Sequence, residues 1–193
     1  MQFITPIITA LVTAGSTFLL MYIKDVRLQN NKERVLLIKE KLESCYTPLY
    51  VKLRTKNEIQ EGFLENEINP IVLSFGHFMS SKSLAEYSEL YDLEREIKSL
   101  IIAEKDEERK LEEYKKEVEK ADSGESSMKK GSPMYENLQN RIENPKMLGA
   151  ILGKRWKLMD EYKGGISAFR VNIKEEYESL INSYEKYYNS QII

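Results

Sequence analysis

Hydrophobic and polar positions along the chain fall into two regimes. From Met1 to Ile23 there is no Asp, Glu, Lys, Arg or His, and from Lys24 onward charged residues recur to the end. An uncharged run of about twenty residues is long enough, at ~1.5 Å per residue, to cross a ~30 Å hydrocarbon core. The pattern predicts a transmembrane helix over residues 1–23. A cleavable signal fits less well, because its charge would precede the apolar run, whereas Lys24, Asp25 and Arg27 follow it. A buried core helix fits less well too, since it ordinarily needs only about ten to fourteen apolar residues.

Beyond that boundary the apolar positions become periodic. Leu28, Val35, Leu42 and Leu49 recur every seven residues, with Ile38, Cys45 and Leu53 between them, which is the seam of an amphipathic helix. Pro48 predicts a kink or break near Cys45 to Thr47. Asn69 and Pro70 read as the cap and first residue of a shorter apolar helix. Ser83 and Glu86 form a capping-box pattern opening a long helix, with Leu90, Leu93, Ile97, Leu100, Leu111, Tyr114 and Val118 on its seam. Glu104 and Glu107 interrupt that seam, so the stretch from Glu104 to Lys120 is expected to project into water.

Asp122 to Ser132 is a linker by composition, Ser132 and Pro133 open another helix, and Asn144-Pro145 stops it. Ile166, Phe169, Ile173, Tyr177, Leu180, Tyr184 and Tyr187 mark a final, half-aromatic seam. No alternating strand pattern or internal repeat stands out. The expected fold class is all-α: a single N-terminal transmembrane helix (1–23) continuing into a cytoplasmic antiparallel helical bundle or coiled-coil-like hairpin. A kinked juxtamembrane helix, a short helix and a long charged helix occupy 24–121, a flexible linker 122–132, and helices completing the bundle 133–190.

Charge adds an orientation. Lys24, Arg27, Lys32, Arg34, Lys39 and Lys41 all flank the apolar run on its C-terminal side, which predicts a single-pass protein with its C-terminal domain in the cytoplasm. The lone Cys45 agrees, because one thiol makes no internal disulfide. A net charge of −2 offers no basic excess for nucleic acid. Within the run, Thr5, Thr9, Thr13 and Thr17 recur every four residues beside Ala10 and Ala14. They are a candidate packing face for helix association, the alternative being threonines that bond back to their own helix.

Candidate chemistry is sparse. One His and one Cys leave no two-histidine metal site, no Cys cluster and no spare triad members. No catalytic, cofactor-binding or metal-ligating residue is assigned, and no cofactor is expected. His77 reads as a packed, hydrogen-bonded histidine and Cys45 as a small core residue. Gly149 and Gly153 have three residues between them, one short of a phosphate loop. Lys154, Arg155, Trp156 and Lys157 cluster at the end of an apolar stretch too short to span. They are a candidate membrane-interfacial patch, the alternative being a core helix whose cations face solvent.

The segment Lys41-Leu42-Glu43-Ser44-Cys45-Tyr46-Thr47-Pro48-Leu49-Tyr50, following an N-terminal apolar run, resembles the K-x-E-x-x-Y-x-P-L-Y element of small bacterial and prophage-borne membrane-anchored helical proteins of unassigned function. Phe75 to Leu90 is similar to a second, aromatic-rich element of the same group. The resemblance implies a bacterial inner (plasma) membrane setting, a mobile element, and no catalytic residue. Physically, Tyr46, Pro48, Leu49 and Tyr50 are expected to form a rigid aromatic bend on which later helices pack. The expected function is a membrane-tethered cytoplasmic interaction or scaffold protein without catalytic activity. Its expected partners are the lipid bilayer and a homo-oligomer or protein partner, with no nucleic acid. The alternative is a membrane-active effector, in phage exclusion or growth arrest, acting through assembly of the span and the interfacial segment.

Overall fold

The computed structural model describes residues 4–55 and 62–189, and side chains from residue 15 onward. The regular elements among the described residues are all helices: α1 (Ile4–Lys41), a π-helical turn (Leu42–Tyr46), α2 (Thr47–Thr55), a second π turn (Leu64–Ile68), α3 (Asn69–Phe75), a 3-10 turn (Gly76–Phe78), α4 (Ser81–Asp122), α5 (Pro133–Glu143) and α6 (Lys146–Asn189). They form two compact units. One takes residues 1–55, 71–79 and 171–193, and the other takes 56–70 and 80–170.

Among the described residues no helix is long and apolar enough to cross a membrane, which overturns the expected single-pass anchor and the inner-membrane location built on it. The side chains of Thr5, Thr9, Ala10, Thr13 and Ala14 lie outside the described residues, and Thr17 is exposed on α1.

Pro48 and Pro70 both lie in helical runs that continue past them, so Pro48 does not break its helix and Asn69-Pro70 does not open a new one. Each follows a π turn in which the residue just before the proline bonds five back: Thr47 N–H to the Leu42 carbonyl, and Asn69 N–H to the Leu64 carbonyl. A proline cannot make the usual bond four back, and its ring crowds the carbonyl there. A π turn widens the helix at that point and lets the chain continue. Asn69 therefore sits inside a helical run that begins at Phe63, where Gly62 turns the chain at φ +76°. Its Oδ1 accepts the Tyr87 hydroxyl at 2.7 Å.

Caps explain the other boundaries. Ser80 Oγ accepts the Ser83 N–H at 3.1 Å and starts α4, three residues before the expected cap, and Ser83 is buried. Ser132 Oγ accepts the Tyr135 N–H at 3.3 Å, with Pro133 in the first turn of α5. Gly124, at φ +79°, ends α4, and Glu125 N–H returns to the Lys120 carbonyl, as left-handed C-terminal caps do.

The stretch from Glu104 to Lys120 does not stand alone in water. Arg141 of α5 lies 5.7 Å from the Tyr114 ring centre and donates to its hydroxyl at 3.2 Å. Glu104 pairs with Arg155 of α6. The interruption in the seam is thus matched by a cation on the facing helix.

Candidate functional site

The aromatic element predicted around Pro48 is a polar node of the first unit. The π turn and α2 bury Cys45, Tyr46, Leu49 and Leu53 on one face. Tyr46 donates its hydroxyl to Glu176 Oε2 at 2.6 Å, with the Phe78 carbonyl 3.3 Å away. Tyr50 stacks on Tyr177, ring centres 4.8 Å apart and planes within 10°. Arg34 of α1 donates to the Tyr187 hydroxyl at 3.2 Å. These contacts join the start of the chain to its end, and Pro48 is half-buried among them.

Cys45, wholly buried, has its thiol pushed from 9.0 up to about 11, first by burial and then by the Glu176 charge. At neutral pH the sulfur stays protonated, which is the opposite of an activated nucleophile. His77, expected to be packed, is exposed on the 3-10 turn, its ring 4.0 Å from that of Phe78. A three-residue turn is too short to bury both rings, and Phe78 takes the more enclosed position.

The second unit holds a buried carboxylate that sequence reasoning missed. Glu94 is 3% exposed, and its oxygens accept the backbone N–H of Leu64 at 2.9 Å and of Glu65 at 2.8 Å. Tyr162 of α6 adds its hydroxyl at 2.7 Å. The carboxylate thus caps the helix that starts at Phe63, where free N–H groups and the helix dipole favour negative charge. Burial, then the bond to Glu94, pushes the Tyr162 hydroxyl far above its usual range, and burial does the same for Tyr87. Both phenols remain protonated donors.

The signal for Glu94 was present in the spacing. Ser83, Tyr87, Leu90, Glu94 and Ile97 are the residues α4 buries through this stretch, an alternating four-and-three spacing in which a glutamate holds a core position. Leu93, which the apolar pattern favours, is only half-buried. Gly165 of α6 faces the same stripe, and a Cβ there would lie 2.5 Å from Leu90 Cδ2.

The candidate interfacial patch is divided by the structure. Lys154 pairs with Glu96 at 2.7 Å, Arg155 with Glu104, and Lys157 with Glu161 at 3.9 Å. Two of the three cations therefore tie α6 to α4, and Trp156 between them is 70% exposed. Nearby, Leu111, Tyr114, Arg141, Pro145, Met147 and Leu148 contribute to an open cleft of about 350 Å³. Arg141 already holds Tyr114 and Asn137 there. Among the described residues no group of three or more His, Cys, Asp or Glu is placed to hold a metal ion.

The chain matches no protein family, no curated protein and no solved structure.

Proposed function

We propose that this protein is a non-catalytic helical interaction protein, a scaffold that offers a helix face to a protein partner. Trp156 carries the reading: its ring is 70% exposed on α6 while the cations beside it are held by carboxylates of the same chain. Along the same helix, a Cβ at Gly149 or Gly153 would meet nothing within 4 Å. Glycine in a helix interior costs about 1 kcal/mol relative to alanine, and no contact among the described residues calls for it at these positions. A flat, glycine-lined surface beside an exposed tryptophan has the make-up of an interface anchor.

The polar groups of both units support the same reading, since they act as fixed donors and acceptors between helices. Tyr46 with Glu176, and Tyr162 with Glu94, are each engaged in holding packing together. The membrane tether of the sequence reading is not part of this proposal.

A photo-crosslinking residue placed at Trp156 in living cells tests it. A discrete protein adduct, missing when the probe sits at exposed Lys105 of α4, is the expected result. Equal labelling at the two positions would remove the support for a specific face on α6.

A further inference from the structure

From Phe18 to Ile23, α1 presents six consecutive large apolar side chains, and their exposures are 74%, 59%, 67%, 62%, 63% and 40% in chain order. Successive residues on a helix step ~100° around its axis, so six of them occupy the whole circumference. The segment has no polar side to turn toward water. Val26 and Leu28, at 39% and 36% exposed, extend it toward Lys41. A helix that is apolar all round is ordinarily buried, and among the described residues nothing of this chain covers this one to that degree.

The area decides what suits it. Taking on the order of 200 Å² for a fully exposed large apolar side chain, these eight residues leave roughly 800 Å² uncovered. That exceeds the ~300–600 Å² patch typical of a monomer, and it equals the ~800 Å² that each partner contributes to a specific, stable interface.

We infer that α1 packs against α1 of a second copy of this chain through Phe18 to Leu28, making the protein a dimer at least. A two-fold contact sets the same patch against itself and covers the facing side of each helix, and further copies would cover the rest. Eleven residues at ~1.5 Å rise give about 16 Å, three turns of helix-on-helix contact. Lys24, Asp25 and Arg27 interleave both signs of charge at the C-terminal part of the patch, which makes a mixed polar rim rather than a repelling block of one sign. The inference stands on α1 alone and does not rely on the α6 face.

The test is sedimentation velocity of the full chain, prepared without detergent, across a wide concentration range. Dimer or larger species should appear, and the variant carrying Leu20→Glu and Tyr22→Glu should associate more weakly by roughly 100-fold or more. Both positions are exposed, so circular dichroism should show the helices unchanged. As a second reading, Leu20→Cys should give disulfide-linked dimers on mild oxidation while Ile102→Cys, on exposed α4 surface, should not. Monomers throughout, association untouched by the double variant, or equal cross-linking at the two cysteines would overturn the inference. So would a monomer that instead floats with phosphatidylethanolamine–phosphatidylglycerol vesicles, which would make a lipid surface the occupant.

Discussion

Substituting Glu94 by alanine strands two backbone N–H groups and the Tyr162 hydroxyl in the core of one unit. Each buried donor left without an acceptor costs about 1–3 kcal/mol, so Glu94→Ala should destabilise by about 3 kcal/mol or more. Tyr162→Phe, which keeps the ring and the backbone donors, should cost about 1–2 kcal/mol. Hydrogen exchange at Leu64 and Glu65 reads the loss where it occurs: both amides should exchange fast in Glu94→Ala and only moderately faster in Tyr162→Phe. Cys45 sets a different expectation. Below pH 9 its thiol is protonated folded or unfolded, and between 9.0 and about 11 only the unfolded chain loses the proton. Stability should therefore fall as pH rises through that window, by about 2 kcal/mol from this group. The urea midpoint of Cys45→Ala should decline less steeply over the same range. Cys45 was legible as a core residue because it lies on an apolar seam. Glu94 was not, because a glutamate in a seam reads as an interruption until its three donors, 29 to 68 residues away, are seen to converge on it.

At the scale of elements, the two π turns share a sequence pattern. Leu42-Glu43-Ser44-Cys45-Tyr46-Thr47-Pro48 and Leu64-Glu65-Asn66-Glu67-Ile68-Asn69-Pro70 both begin Leu-Glu, place a large apolar residue two before the proline, and put a polar residue next to it. This short repeat is easily missed, because four of seven positions differ and the flanking segments do not match. Its effect is visible only as two prolines inside continuous helix. Since both rings are already accommodated, Pro48→Ala and Pro70→Ala should each shift stability by less than about 1 kcal/mol, whereas Ser99→Pro, at an exposed site inside regular α4, should cost about 3 kcal/mol or more. Chemical denaturation of the three variants makes the comparison. The all-helical class was legible from periodicity and caps. The fate of the stretch from Glu104 to Lys120 was not, because the cation that answers Glu104 lies 51 residues on, in α6.

At the scale of the molecule, the first unit is assembled from distant parts of the chain. Tyr46 and Glu176 are 130 residues apart in sequence, and the segments between them pass through the other unit. Removing residues 171–193 should therefore open the first unit even though residues 42–53 are untouched. Iodoacetamide should then alkylate Cys45 at close to the rate of an unfolded thiol, against slow labelling in the full chain. The apolar run of α1 was the most legible feature in the sequence, yet its length as a spanning element did not survive among the described residues. Composition reports that a segment avoids charge, and leaves open what meets it. Trp156 is the sole tryptophan of the chain, and it stands in solvent. Its fluorescence is thus a built-in, label-free gauge of wetness on the outer face of α6. A partner that dries that face should move the emission to shorter wavelength, and titrating the blue shift would give an affinity without attaching a dye.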